Sequence, residues 1–205
     1  MSNKCVIFDM DATLIDSKKA IYYTINYIRK ELNMTPLDAE FIIKTINDPL
    51  KNPIKEFYGI EQASGNMRHI FEEEFDKNYM LYATVYEEAM KVVSSCKNLD
   101  YKLAVATNAP HATIESILKN CGILDSFDMI VGSNKEIPQK PDPTMLNLIR
   151  DSFKCECVFV GDSAKDYLAS KNAKMDYIQV LWGRNEIIKG AVNCRNATEV
   201  MRILR

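Results

Sequence analysis

Histidine and paired cysteines are scarce in this 205-residue sequence. Only two histidines occur, His69 and His111, so a histidine-rich zinc site is excluded and a histidine-based catalytic relay is disfavoured. The six cysteines are scattered without a Cys-x-x-Cys pair, and a chain of this size does not need disulfides to fold. We therefore expect reduced thiols and a cytoplasmic protein.

Long apolar segments and a strong net charge are also missing. No apolar run approaches the roughly 20 residues of a membrane helix, and Asp9 comes too early for a signal peptide. The formal net charge is −2, which provides no basic surface for nucleic acid or an anionic membrane. The sequence therefore predicts neither of these as a partner, and its 47% hydrophobic content suits one domain, alone or with a second small one.

Five short apolar segments, rich in β-branched residues, are typical of buried parallel strands. They cover residues 4–8, 102–106, 128–131, 156–160 and 177–181. Segments with helical periodicity separate most of them. Strands that alternate with helices predict an α/β fold with a doubly wound parallel sheet.

The alternation stops between the first two strands, where only helical patterns are found. Isoleucines line one face of the first helix, and Thr35 is expected to cap the second helix, with Pro36 at its first position. We therefore predict an inserted all-helical domain at residues 17–82. The α/β core domain would consist of residues 1–16 and 83–205.

Polar residues follow four of the five predicted strands. Because ligands of open α/β sheets bind outside the carboxyl ends of the strands, these residues should converge on one pocket. They are Asp9 and Asp11 after the first strand, Thr107 and Asn108 after the second, Lys140 after the third, and Asp162 and Asp166 after the fourth.

Four carboxylates in one pocket would repel each other strongly. Two like charges about 4 Å apart cost about 4 kcal/mol at an effective dielectric constant near 20, and a hard divalent cation removes this cost. Oxygen ligands without histidine suit Mg²⁺, which often bridges to a substrate phosphate. Thr107 and Lys140 would then donate to the anionic group, so the pattern predicts a Mg²⁺ site that binds a phosphorylated substrate.

The segments "DMDATLIDS", "ATN", "QKPDP" and "GDSAKD" resemble the four ordered motifs of the haloacid dehalogenase superfamily of phosphohydrolases. The helical insertion after the first motif resembles the C1 cap of its phosphoglycolate-phosphatase-like members. The resemblance covers essentially the whole chain and implies a Rossmann-like core with a helical cap that closes over the substrate.

The resemblance implies a role for each matching residue. Asp9 would be the nucleophile that forms an aspartyl-phosphate, and Asp11 would protonate the leaving oxygen and later take a proton from water. The remaining roles are distributed as follows: phosphate binding by Thr107, Asn108 and Lys140; Mg²⁺ binding by Asp9, the backbone carbonyl of Asp11, and Asp162; and support of the metal site by Asp166.

Two residues depart from the family pattern. Ala12 stands where the family has glycine, and we expect a negative φ there, which alanine adopts without strain. Lys174 also replaces a glycine, so a different helix end is expected. After the last strand, we interpret Trp182 as edge packing and Arg184 as a surface charge.

The sequence favours a Mg²⁺-dependent phosphatase of a small phosphorylated metabolite. A sugar-phosphate phosphomutase shares the aspartyl-phosphate and stays open as the alternative. A dehalogenase is disfavoured, because those relatives do not need Asp11 as an acid. A non-catalytic, phosphate-responsive protein is a third possibility, which the complete set of motif side chains makes the weakest.

Overall fold

Two units make up the computed structural model, which describes residues 4–48, 50–184 and 186–205. One unit comprises Met1–Asp16 and Thr84–Arg205, and the other comprises Ser17–Ala83. The first three residues of the predicted core lie outside the described residues. The functions of the two units, as catalytic core and cap, remain predictions.

Parallel strands form the centre of the first unit. In chain order the strands are β1 (Lys4–Phe8), β2 (Ile15–Asp16), β3 (Thr84–Val85), β4 (Lys102–Pro110), β5 (Met129–Ser133), β6 (Glu156–Gly161), β7 (Asp176–Val180) and β8 (Val192–Cys194). Six of them form a sheet in the order β5-β4-β1-β6-β7-β8, in which every pair is parallel. The predicted doubly wound α/β fold is therefore confirmed.

The strands that the sequence did not predict are short. β2 and β3 have two residues each and form a separate antiparallel pair, and β8 has three residues at the edge of the main sheet. Such segments are too short to show a period. β4 is longer than predicted and includes Thr107, where its register with β5 becomes irregular.

Helices connect the strands and form the second unit. In chain order they are α1 (Lys18–Glu31), α2 (Ala39–Asn47), α3 (Pro53–Tyr58), α4 (Gly65–Tyr82), α5 (Glu87–Asn98), α6 (His111–Asn120), α7 (Thr144–Phe153), α8 (Ala164–Ala173) and α9 (Ala197–Leu204), with a 3₁₀ turn at Leu124–Ser126. None of the helices in the described ranges is long and apolar enough to cross a membrane.

The core of the first unit follows from the two-residue period of its strands. Cys5 and Ile7 of β1 are buried in one cluster with residues of α7 and α8. Val6 and Phe8 are buried as well, and their side chains point to the opposite face. Helices α5 and α9 pack together, and α5 contacts β4. Both faces of the sheet are thus covered, which explains why its strands are apolar throughout.

The turn after β1 carries a correction at Ala12. Its φ is +63°, in the left-handed region, so the expected negative φ is wrong. The backbone N–H of Ala12 donates to the carbonyl of Ile15 at 2.8 Å, and the N–H groups of Leu14 and Ile15 both donate to the Met10 carbonyl at 2.9 Å. These bonds hold the tight turn in a shape that requires a positive φ.

Lys174 gives a second correction of the same kind. It ends α8 with φ 53° and ψ 47°, the left-handed conformation that glycine usually adopts at this position. The expected different helix end is therefore wrong, because the lysine takes the conformation that a glycine would have had.

The helical unit packs around α1, which contacts α2, α3 and α4. The predicted start of α2 at Thr35 is wrong, because its N-cap is Asp38, whose side chain accepts from the N–H groups of Glu40 and Phe41. The chain before it is held by α1. Buried Arg29 donates to the Thr35 carbonyl at 2.6 Å, and the Asn26 side chain bonds both backbone groups of Leu37.

Candidate active site

Three buried polar residues lie where the central strands of the main sheet have their carboxyl ends. β1 is flanked by β4 and β6, so the residues at the carboxyl ends of these strands are neighbours. Asp9 follows β1, and its N–H donates to the Val160 carbonyl of β6 at 2.9 Å. Asp9, Thr107 and Asp162 are only 7%, 2% and 3% exposed. Such burial of charged and polar groups requires compensation within the site.

Lys140 provides part of that compensation. Its Nζ lies 2.5 Å from Oδ1 of Asp9 and 2.7 Å from Oδ1 of Asp166, and it donates to the carbonyl oxygen of Ala106 at 2.8 Å. An ammonium group has three protons to donate, and here it has three acceptors. Lys140 therefore fixes the position of Asp9 and joins it to Asp166.

Asn108 holds the backbone of Lys140. Its Nδ2 donates to the Lys140 carbonyl at 3.1 Å, and its Oδ1 accepts from the Lys140 N–H at 2.7 Å. Thr107 precedes it with a buried hydroxyl, whose oxygen accepts from the Ala109 N–H at 3.2 Å. The Asn108 side chain is therefore occupied by protein contacts, whereas the hydroxyl proton of Thr107 has no acceptor among its hydrogen bonds to described residues.

Asp166 is fully engaged by its neighbours. While Oδ1 pairs with Lys140, Oδ2 accepts from the N–H of Ser163 at 3.0 Å and from its hydroxyl at 2.6 Å. This is a capping box at the start of α8. A Cβ on Gly161 would lie 2.8 Å from the Asp166 side chain, so the glycine makes room for this carboxylate.

Asp162 has a different environment, with one oxygen that makes no hydrogen bond. Its Oδ1 accepts a long hydrogen bond from the hydroxyl of Thr13 at 3.4 Å. Its Oδ2 lies 2.5 Å from Nε of Arg184, yet neither atom forms a hydrogen bond within the described parts of the chain. The N–H is thus not directed at the oxygen. The interpretation of Arg184 as a surface charge is wrong, because its side chain is 15% exposed and pairs with Asp162.

The pKa shifts show how burial and the neighbouring charges act on the ionisable groups of the site. Burial raises the pKa of Asp9 well above its usual value, although Lys140 opposes the shift, and burial raises the pKa of Asp162 to about 7 against the effect of Arg184. Burial alone would also raise the pKa of Asp166, but Lys140 and the hydrogen bonds from Ser163 together outweigh this effect, so the pKa is lowered. Burial alone would lower the pKa of Lys140, but the carboxylates of Asp166 and Asp9 outweigh this effect. The pKa of Lys140 is therefore raised.

Asp11 adds a fourth carboxylate to this region. It lies in the turn after β1, is half-buried and forms a bridge with Ile15. Its charge contributes to the raised pKa values of Asp162 and Cys121. Four carboxylates, at Asp9, Asp11, Asp162 and Asp166, thus share the site with two cations, Lys140 and Arg184.

These residues suit a divalent cation. Asp9, Asp162 and Asp166 each offer a carboxylate oxygen, and these three atoms lie within 4.8 Å of one another. The candidate ligands are hard oxygens, and Oδ2 of Asp162 is buried without a hydrogen bond to any described residue. Two negative charges in excess are what a divalent ion neutralises, and carboxylates are the ligands that Mg²⁺ prefers.

The comparison with protein families identifies the class of protein to which this fold and site belong. The model of the haloacid dehalogenase-like hydrolases matches residues 6–180. The chain belongs to this family of hydrolases.

Individual relatives are similar over most of their length. A phosphoglycolate phosphatase from Cereibacter sphaeroides is 30% identical, with 84% of this chain and 82% of that protein covered. The pyrophosphatase PpaX from Bacillus velezensis is 29% identical, with 91% and 85% covered. The crystal structure of a predicted phosphoglycolate phosphatase from Haemophilus somnus aligns over 100% of both chains, with a TM-score of 0.83 and 21% identity, and has the same fold.

The structure brings most of the predicted site residues together by direct contacts. Asp9, Lys140 and Asp166 form one ion-paired group, Asn108 binds the backbone of Lys140, and Thr107 lies in the neighbouring strand β4. Reasoning from the sequence missed Thr13 and Arg184. Arg184 could have been found, because it follows β7 as the other site residues follow their strands.

Proposed function

We propose that this protein is a Mg²⁺-dependent phosphatase that hydrolyses a small phosphomonoester through an aspartyl-phosphate on Asp9. The observation that carries the proposal is the position of the Asp9 carboxylate. It is buried at the end of β1, with Oδ1 fixed by Lys140 at 2.5 Å. A nucleophile must be held in one orientation and kept ionised, and both a lysine ammonium and a metal ion favour the ionised form.

The metal ligands in this proposal are Asp9, the backbone carbonyl of Asp11, and Asp162. Oδ2 of Asp162 supports this assignment, because it makes no hydrogen bond in the described parts of the chain. Asp166 supports the site through Lys140, since both of its oxygens already have partners. When bound, Mg²⁺ shields the phosphate from the carboxylates and polarises it.

Two carboxylates with different protonation states carry out the reaction. Asp9 attacks phosphorus, a bond forms between its oxygen and phosphorus, and the bond from phosphorus to the leaving oxygen breaks. Asp11, protonated at this stage, gives its proton to the leaving oxygen. A water molecule then attacks the aspartyl-phosphate, Asp11 takes a proton from that water, and inorganic phosphate leaves with Asp9 restored.

The phosphoryl oxygens are bound by groups on β4 and in the segment after β5. Thr107 donates its hydroxyl proton, since its oxygen already accepts from Ala109. Lys140 supplies positive charge. Asn108 contributes its backbone, because its side chain is bonded to Lys140. We propose phosphoglycolate as the first substrate to test and pyrophosphate as the second, on the names of the two relatives.

A panel of phosphorylated compounds tests the proposal. Phosphate release is measured with phosphoglycolate, pyrophosphate, sugar phosphates and nucleoside monophosphates, with Mg²⁺ and with EDTA. Wild type is compared with Asp9→Asn and with Asp151→Asn, a control whose side chain is 73% exposed. We expect release that needs Mg²⁺, is lost in Asp9→Asn and is unchanged in the control. Activity that survives EDTA or Asp9→Asn would overturn the mechanism.

The same samples separate a phosphatase from the phosphomutase alternative. A phosphatase transfers the phosphoryl group to water, so inorganic phosphate accumulates in step with the dephosphorylated product. A phosphomutase returns the group to a sugar, so sugar phosphates would be isomerised without stoichiometric phosphate release. Product analysis by phosphorus NMR distinguishes the two outcomes.

A further inference from the structure

The loop after β7 is fastened to the turn that follows β1. Nε1 of Trp182 donates to the carbonyl oxygen of Thr13 at 2.8 Å. Gly183 packs so closely on the carbonyl group of Ala12 that a Cβ at this position would overlap it. Arg184 comes next, with its Nε 2.5 Å from Oδ2 of Asp162. The loop therefore delivers a cation directly to a proposed metal ligand.

The contact between Arg184 and Asp162 is an ion pair without a hydrogen bond. Neither Nε of Arg184 nor Oδ2 of Asp162 forms a hydrogen bond with any part of the chain that the structure describes. A group that orients a metal ligand normally does so through a directed hydrogen bond. Here the guanidinium group instead supplies charge at the oxygen that a metal ion would use.

We propose that Arg184 is a positioning residue that neutralises Asp162 before the divalent cation binds and is displaced from Oδ2 when it does. This inference rests on the proposed Mg²⁺ site. Mg²⁺ binds carboxylate oxygens at about 2.1 Å, so it would compete for Oδ2 of Asp162 with the guanidinium nitrogen that lies 2.5 Å from this oxygen. The two cations would also repel each other at such a distance. We therefore expect binding of Mg²⁺ to break the ion pair.

The rival role for Arg184 predicts the opposite result. If the metal used Oδ1 of Asp162, Arg184 would stay in place and hold the carboxylate for the metal. Its removal would then weaken Mg²⁺ binding. In the displacement model its removal strengthens binding, because the cation no longer competes with a guanidinium group.

Whether removal of Arg184 strengthens or weakens Mg²⁺ binding can be measured without substrate. Trp182, the one tryptophan of the sequence, lies two residues before Arg184, so its fluorescence reports on this loop. Metal-free protein is titrated with Mg²⁺ at pH 8, and the midpoint is compared among wild type, Arg184→Gln and Arg184→Lys. Arg202→Gln on α9 is the matched control, since it removes the same charge from an exposed residue.

We expect the Mg²⁺ midpoint of Arg184→Gln to fall about fivefold, as for the loss of one competing ion pair. Arg184→Lys should lie between this variant and wild type, and Arg202→Gln should match wild type. The Mg²⁺-induced rise in melting temperature gives a second readout, and far-UV circular dichroism checks that each variant is folded.

An unchanged or raised midpoint in folded Arg184→Gln would overturn the displacement model while leaving the proposed function intact. A wild-type protein that shows no Mg²⁺ response in fluorescence or in melting temperature would overturn both, because there would be no metal site for Arg184 to regulate. If Arg184→Gln does not fold, Arg184→Lys is used instead: a Mg²⁺ midpoint below that of wild type supports the displacement model, and an unchanged or higher one contradicts it.

Discussion

Replacement of Lys140 by methionine tests whether the buried charge network holds the site together. The lysine is 4% exposed and has three acceptors, at 2.5, 2.7 and 2.8 Å. Methionine is similar in length but has no charge, so Asp9 and Asp166 would face each other in a buried site without their shared cation. The loss of one partner from a buried ion pair costs about 3–5 kcal/mol, which corresponds to a melting temperature about 6–20 °C lower in a chain of this size.

The assay is thermal unfolding in EDTA, so that metal binding does not contribute. Lys102→Met is the matched control, because Lys102 forms an exposed pair with Asp128 at 2.7 Å, and exposed pairs contribute little to stability. The decrease in melting temperature caused by Lys140→Met should become smaller at low pH. Lys140 lowers the pKa of Asp166, so this stabilisation exists above the pKa of the unfolded carboxyl and is lost as the pH falls through the folded value. A melting temperature equal to that of Lys102→Met at pH 8 would refute the reasoning.

Three other substitutions address the turn, the metal ligand and the acid. Ala12→Gly relieves a residue at φ +63°, so the melting temperature in a thermal scan should rise by about 2–4 °C if about 1 kcal/mol of strain is released. Because burial raises the pKa of Asp162 to about 7, the folded, metal-free protein keeps a proton that the unfolded chain releases. Its stability should then fall by up to about 4 kcal/mol between pH 4 and 7, and denaturation in EDTA should show a smaller fall for Asp162→Asn. Asp11→Asn should cut kcat about 100-fold or more in steady-state assays and leave the Mg²⁺ midpoint unchanged.

Each of these three predictions has an outcome that would contradict it. An unchanged or lower melting temperature in Ala12→Gly would show that the turn stores no strain. The same pH dependence in Asp162→Asn as in wild type would assign it to other carboxylates, and normal turnover in Asp11→Asn would remove this residue from the mechanism.

The sequence predicted the main sheet because its strands are buried on both faces. The segments at 4–8 and 156–160 consist mostly of apolar residues, and β1 and β6 form there with almost the same bounds. The site followed from the rule that polar residues at strand ends converge, and Asp9, Lys140 and Asp166 are in fact in contact. Local pattern and general topology were sufficient for these features.

Features that depend on tertiary contacts were not predictable in this way. The pair Thr35-Pro36 has the local signature of a helix start, but Arg29 and Asn26 hold this segment outside α2. Ala12 is expected to avoid a positive φ, yet the hydrogen bonds of its turn impose one. Arg184 looked like a surface charge, because only the folded structure shows its contact with Asp162.

A covalent aspartyl-phosphate on Asp9 is the most direct consequence of the proposed mechanism. Protein mixed with Mg²⁺ and a substrate labelled with radioactive phosphate is quenched in acid within the first turnover, digested, and analysed for labelled peptides. The label should be found on the peptide that contains Asp9 and should be absent from Asp9→Asn. Rapid phosphate release by wild type with no label on that peptide would contradict the mechanism.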